Sequence, residues 1–413
     1  MRKSNNVLFK ISIIINVLMI FFGAYIGNLY IIQFIALGCT ILSSNLKKIK
    51  IKLDTLAWIL VGIIAILSVG YSIEKSISIE ICSLICMAIV LKILYENKNE
   101  EWNSYFLKWV LLASGIHVIF TVLQLVVPDL VMTINKLILG TEGFKTNYEL
   151  YRAGGYAGIT SQTSVNAFYI TIFIGIIFSR IMFKKEYKKT NMIFLFIAII
   201  ALFLTGKRGL LIFSMLSMIL IFMYISYKDN KNILKYILIF GIIGTIGTIT
   251  VINIPEAKAI FERIQLLEEN GETLNGRDEL WTQSLKIFKK HPIMGIGLGS
   301  VKNLIGDYSH NVYIQMLAET GIIGFSIYVI AIVFSLYVTI KKANKILKEN
   351  NLEKKVNILI SIFIQCIFIM YGFTGNPLYG QYFITPYIIS IAMANSIKEE
   401  NEVENRNNYL SQS

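Results

Sequence analysis

Asn191 to Tyr227 reads NMIFLFIAIIALFLTGKRGLLIFSMLSMILIFMYISY, two apolar runs joined by the short polar tip Thr-Gly-Lys-Arg-Gly. The apolar residues follow no alternating pattern, so each run is a helix rather than a barrel strand. Runs of this kind recur along all 413 residues, 55% of which are hydrophobic and 16% charged, with a mean hydropathy of +0.62. Such a chain is too apolar for a water-soluble core. It reads as an all-α polytopic membrane protein.

About twelve spans are predicted: Val7–Ile26, Leu29–Leu42, Leu56–Val69, Ile77–Leu94, Phe106–Val127, Val165–Phe183, Met192–Thr205, Gly209–Tyr227, Ile233–Ile252, Ile322–Ile340, Ile358–Tyr371 and Tyr379–Ala394. The N-terminal MRKSNN and the apolar run after it lack a small-residue cleavage site, so the first span is read as retained. Basic clusters at Lys47-Lys48-Ile49-Lys50, Lys184-Lys185, Lys188-Lys189 and Lys341-Lys342 mark the inner segments, while the short outer turns hold Lys75, Lys207 and Arg208. By the positive-inside rule both termini are expected in the cytoplasm. The net charge of +13 is then a topology signal, and nucleic acid is not expected as a partner. Cys39, Cys82, Cys86 and Cys366 all lie in apolar runs, which argues against disulfides and a cysteine metal site.

The chain divides into an N-terminal five-helix membrane region (1–127), an outer loop (128–164), central membrane helices (165–252), a large outer loop (253–321), C-terminal membrane helices (322–397) and a polar cytoplasmic tail (398–413). The large loop lies between spans 9 and 10. Two amphipathic helices are expected in it, Pro255 to Glu269 and Arg277 to Lys290. Asn275-Gly276 is the turn before the second, and Pro292 with Gly295, Gly297 and Gly299 ends it.

The hairpin tip carries the first candidate chemistry. About fourteen apolar residues before Lys207 rise ~21 Å, short of a hydrocarbon core ~30 Å thick. Lys207 and Arg208 are therefore expected at membrane depth, where ionisable groups line cavities or bind charged ligands. The bland alternative is a tilted span with both side chains snorkelling to the headgroups. Arg152 lies in ELYRAGGYAGITSQTSVNAF, with Gln162 and Asn166 at the helix entrance that follows. Arg277 opens GRDELW, where it can instead pair locally with Asp278 or Glu279. Three arginines on one side suit an anion with several oxygens, such as a diphosphate.

His310 and Asn311 open HNVYIQMLAETGIIG, and Gly321-x-x-Gly324 closes it. Ile322–Ile340 already rises about 28 Å, enough to span by itself. The helix before it must stand proud of the membrane or fold over at Gly321 and Gly324. Either way the imidazole, with an ordinary pKa of roughly 6.5, sits over the mouth of the bundle and suits a general base. A helix-capping or surface histidine is the plainer reading. His117, inside an apolar span, reads as an interhelical hydrogen-bond partner, and His291 as a loop residue. The outer segments hold no Asp-x-Asp, no His-x-x-x-His and no GxxxxGK[ST], so neither a metal-bound nucleotide sugar nor ATP is expected.

GKRGLLIF, GRDELWTQSLKIFKKHPIMGIGLGS and HNVYIQMLAETGIIG occur in this order, and as a set they resemble the O-antigen polymerase and O-antigen ligase superfamily of bacterial envelope glycosyltransferases. The resemblance lies in the C-terminal half. His310-Asn311, nine residues, Gly321-x-x-Gly324 matches the ligase-type signature, whereas Thr160-Ser161-Gln162 departs from the Pro-Asn that ligases often carry. The resemblance implies a GT-C-like membrane glycosyltransferase working without metal or cofactor. Its donor is a glycan on undecaprenyl diphosphate, its acceptor another glycan, and membrane lipid, chain-length regulator and flippase proteins are the expected partners. Arg208 and Arg277, with Arg152 and Lys207, hold and stabilise the leaving diphosphate. His310 activates the acceptor hydroxyl for an inverting displacement, with Asn311 and Gln162 in the substrate site. Heavy Ile, Lys and Asn usage suits a low-GC Gram-positive source, which favours a capsule or exopolysaccharide polymerase over a ligase. A lipid-linked sugar flippase is the third reading. It calls for charged or broken helices near the midplane, whereas the notable charges in this sequence gather towards the outer side.

Overall fold

The computed structural model describes residues 2–25, 29–44, 49–183, 187–228 and 276–399. The expected span Ile233–Ile252 and the amphipathic run Pro255 to Glu269 lie outside them. Among the described residues there are fifteen α-helices and no strand. The N-terminal part holds α1 (Arg2–Phe22), α2 (Leu29–Leu42), α3 (Leu53–Tyr71), α4 (Lys75–Glu96) and α5 (Glu101–Val126). Next come α6 (Pro128–Ile138), α7 (Gly140–Arg152), α8 (Thr163–Phe183), α9 (Lys188–Leu204) and α10 (Arg208–Lys228). The last five are α11 (Arg277–Lys290), α12 (Ser300–Ile305), α13 (Val312–Ile346), α14 (Leu352–Tyr371) and α15 (Gln381–Ser396).

Seven of these, α3, α4, α5, α8, α10, α13 and α14, are long and apolar enough to cross a membrane, and the chain is a polytopic membrane protein. The remaining predicted spans in the described residues are shorter: the apolar part of α1 is Val7–Phe22, α2 has 14 residues, α9 has 17 and α15 has 16. Of these seven, α8 and α14 are the most enclosed, and they pack on each other with α5, α10 and α15 around them. Gly175 of α8 makes that packing close. A Cβ there would stand 2.4 Å from the Phe363 ring of α14, so only glycine admits the ring.

Helix α13 is not one straight rod. Gly321 has φ 62° and ψ −169°, a region open essentially to glycine alone, and divides the helix after three turns. The gap is filled by the chain after α11: Ile322 N–H donates to Pro292 O at 2.9 Å, and Gly297 N–H donates to Glu319 O at 2.8 Å. A helix break leaves backbone groups unpaired, and this segment of turns supplies partners for them. The fold-over expected at Gly321 is therefore a backbone break braced by residues 292–297.

The turn joining α3 to α4 meets α12 at the His310 end, where Ser72 Oγ and Ser300 Oγ lie 2.9 Å apart. At the opposite end of the same two helices sits a buried ionic cluster. Lys92 Nζ lies 2.8 Å from Asp54 Oδ2 and 3.0 Å from Glu96 Oε2. The Asn395 amide of α15 donates to both carboxylates at 2.9 Å. The sequence reading placed the notable charges towards the outer side and did not foresee this group. It lies at the ends of α3 and α4 rather than in their middles.

The segment 128–164, expected as an outer loop, forms two helices. Helix α6 buries Val131 and Asn135, one turn apart, and exposes Leu130 and Leu137. Asn135 and Asn147 of α7 donate to Gly158 O at 2.9 and 3.3 Å, and Asn147 also donates to Thr160 O at 2.6 Å. These bonds fold the segment 158–162 back over the entrance of α8.

Candidate functional site

His310 sits at the last bend before α13, with φ 51°. A non-glycine residue in this left-handed region costs ~1–3 kcal/mol and persists only where its surroundings hold it. Here they hold it on every side. Trp281 Nε1 of α11 donates to Ser309 O at 2.8 Å, and Ser309 N–H donates to Gln315 Oε1 at 3.1 Å. Asn311 is the N-cap of α13, its side-chain oxygen accepting from Tyr313 N–H at 3.1 Å and Ile314 N–H at 3.2 Å. Val312 N–H donates to Gly372 O at 2.9 Å and Gly375 O at 3.0 Å, which docks the helix start on the α14–α15 connection.

The imidazole is 42% exposed, and its Nε2 lies 3.5 Å from Asp307 Oδ2. Burial holds the His310 pKa below the usual histidine value. Arg277 and Lys207 push it the same way, and Asp307 opposes them. The ring is thus neutral near pH 7 and able to accept a proton.

Beside His310 opens a cavity of about 330 Å³, within the size range of small-ligand sites. Half of its wall is aromatic. Phe21 and Tyr25 come from α1 and the turn after it, Tyr169 from α8, Tyr308 from the His310 loop, and Tyr371, Tyr379, Tyr382 and Phe383 from α14, α15 and their connection. Polar groups come from Thr160, Ser161 and Gln162 on one side and Asn376 on the other. Among the described residues the wall holds no lysine, arginine or carboxylate. Ring pairs fix the tyrosines: Phe21–Tyr169 at 4.7 Å, Tyr371–Phe383 at 5.4 Å and Tyr308–Tyr379 at 5.9 Å between centroids.

The cations stand outside this wall. Lys207 and Arg208 lie at the α9–α10 tip, whose Gly209 abuts the Thr374 side chain on the connection that carries Asn376. Tyr156 N–H donates to Leu204 O at 3.0 Å, so the segment after α7 covers the tip. Arg277, half-buried at the first turn of α11, and Lys207 both act electrostatically on His310, and Arg277 also acts on Tyr371 of the cavity wall. Arg208 is exposed at the first position of α10, and Arg152 is exposed at the last position of α7, outside the cavity wall. The structure thus brings His310 and Gln162 into one cavity wall, while Arg277 and Lys207 act electrostatically on His310 from outside it and Arg208 and Arg152 lie on neighbouring elements.

His117 is buried with its Nε2 3.1 Å from Phe21 O, stacked on Phe22, and His291 is an exposed residue ending α11. Several residues escaped the sequence reading. Gln315 Oε1 accepts from Asn376 Nδ2 at 2.9 Å, and Glu319 Oε2 accepts from Tyr379 OH at 2.5 Å. The signal for them was two polar residues, four apart, on one face of an otherwise apolar helix. Among the described residues no three His, Cys, Asp or Glu side chains group to hold a metal ion.

Among curated proteins, none matches the chain significantly. Residues 193–329, from α9 through the Gly321 break, match the family model described as O-antigen ligase.

Proposed function

We propose that this protein is a glycosyltransferase of the cytoplasmic membrane, polymerising oligosaccharide repeat units carried on undecaprenyl diphosphate at the outer face, with both termini in the cytoplasm. The observation that carries this reading is the position of His310 between a charge-free aromatic cavity and the cations Arg277 and Lys207. Aromatic faces with interspersed amides and hydroxyls suit saccharide rings. Guanidinium and ammonium groups suit a diphosphate.

In this scheme Nε2–H of His310 faces Asp307 and Nδ1 takes the proton of the acceptor hydroxyl. The acceptor oxygen attacks the anomeric carbon from the face opposite the diphosphate. The bond from that carbon to the diphosphate oxygen breaks, and the departing oxygens collect the negative charge. Arg277, Lys207 and Arg208, with Arg152 nearby, stabilise that charge, which is the larger catalytic contribution because the cations are already in place. The anomeric configuration inverts.

Purified protein given one undecaprenyl diphosphate repeat unit and no other acceptor should build a ladder of chains. His310→Ala should slow ladder formation about 10²–10⁴-fold, and Arg277→Ala should slow it strongly as well, while the protein remains in the membrane. Normal ladders in both variants would sink the reading. The description of the matched family model favours a second one, transfer of a finished glycan to a lipid, wall polymer or protein. Product that forms only when a separate acceptor is added identifies that activity.

A further inference from the structure

Glu319 lies about two turns into α13, beyond His310, and is fully buried. Its Oε1 accepts from Val301 N–H at 3.1 Å and from Gln315 Nε2 at 3.1 Å, and its Oε2 accepts from Tyr379 OH at 2.5 Å. Its backbone oxygen accepts from Gly297 N–H, beside the Gly321 break. One side chain therefore joins three segments that are separate in sequence: the start of α12, the first half of α13 and the α14–α15 connection. Two of them reach the cavity. Gln315 carries the contact on to Ser309, where its Oε1 accepts the backbone N–H and lies 3.1 Å from the hydroxyl, and Tyr379 is itself part of the wall.

We propose that Glu319 is a positioning residue for sugar transfer, acting through Gln315 and Ser309 to hold His310 in its left-handed backbone conformation and through Tyr379 to set the facing wall. The geometry gives the reason. His310 is strained, and its peptide neighbour Ser309 is fixed by a side-chain oxygen of Gln315. Ser309 and Asn376 hold the Gln315 oxygen, and Glu319 accepts from its amide and so sets which way the side chain faces. Buried polar networks of this kind hold a single arrangement only when every member is satisfied. This inference rests on the proposed role of His310 as the base.

The test is a double-mutant cycle in the reconstituted ladder assay, with kcat and the donor KM measured separately. Glu319→Ala should lower kcat at least 30-fold and leave the donor KM within twofold. Glu319→Gln should recover to within about fivefold of the parent, because its amide can accept from Val301 and Gln315 and donate to the Tyr379 oxygen. In a His310→Ala background, Glu319→Ala should cost nothing further. A merely structural role predicts the same loss in both backgrounds, and that outcome overturns the proposal. Gln315→Ala leaves Glu319 in place and cuts its route to Ser309, so it carries the same test if Glu319→Ala fails to accumulate. A kcat for Gln315→Ala within twofold of the parent also overturns it. Full activity in His310→Ala alone would instead remove the catalytic reading of His310, and the two failures are distinguishable.

Discussion

The indole nitrogen of Trp281 donates to the backbone oxygen of Ser309 at 2.8 Å, joining the helix that opens with Arg277 to the residue before His310. Base and cation are thereby held on one unit, although thirty-odd residues of chain run between them. Trp281→Phe keeps the ring and removes the donor. A single hydrogen bond of this type is worth ~0.5–1.5 kcal/mol, so kcat in the ladder assay should fall roughly three- to tenfold. An unchanged kcat would show that the two halves of the site are aligned by other contacts.

The pH dependence of the reaction follows from the surroundings of His310. Burial, Arg277 and Lys207 lower its pKa, and Asp307 raises it. A base works in its neutral form, so the rate climbs as pH rises through that pKa and is level above it. Asp307→Asn removes a raising influence and should move the acid limb of kcat/KM to lower pH. Lys207→Gln removes a lowering influence and should move it to higher pH. Shifts in the same direction for both variants would exclude His310 as the titrating group.

Gly321→Ala adds a Cβ 2.2 Å from Ile293 O, at a backbone conformation that alanine does not adopt. The cost should reach about 3 kcal/mol, the upper end for a strained backbone site, and appear as a large drop in melting temperature in detergent. Gly324→Ala meets Thr320 Cβ at 2.4 Å but at a backbone conformation that alanine adopts, so without the backbone strain it should cost less. Equal melting temperatures for the two variants would contradict the break at Gly321.

Lys92→Met leaves Asp54 and Glu96 buried without their cation. Breaking such a pair costs about 3–5 kcal/mol, so the variant should melt well below the parent. Adding Asp54→Asn and Glu96→Gln should recover much of the loss. Because the cluster lies at the end of α3 and α4 away from Ser72 and α12, the folded fraction should keep the kcat of the parent. A triple variant that melts no higher than Lys92→Met would argue against the ion pairs as the source of the effect.

Local sequence was enough for several elements. Asn275-Gly276 and Pro292 bracket a run with helical apolar spacing, and α11 runs from Arg277 to Lys290 as that pattern predicts. The excess length before Ile322 left either a helix standing proud of the membrane or a fold-over at Gly321 and Gly324, and the backbone breaks at Gly321. By contrast, α6 and α7 hold few buried residues and rest on contacts of Asn135 and Asn147 with the segment 158–160. Nothing within either helix announces those contacts.

The site itself divides in the same way. His310, Arg277 and Lys207 were visible because charged or titratable groups at the ends of apolar spans are conspicuous in composition. Glu319 and Gln315 were hidden inside an apolar run, and Tyr379 and Asn376 in a short connection. By itself the sequence determined that the chain is helical and built for a membrane, since long apolar runs leave the backbone no other way to satisfy its hydrogen bonds there. Only the tertiary structure decided that Phe21, Gln162, His310 and Tyr382 wall one cavity and that Glu319 braces it. Those meetings depend on how helices far apart in the chain pack against one another, and local sequence carries no record of that geometry.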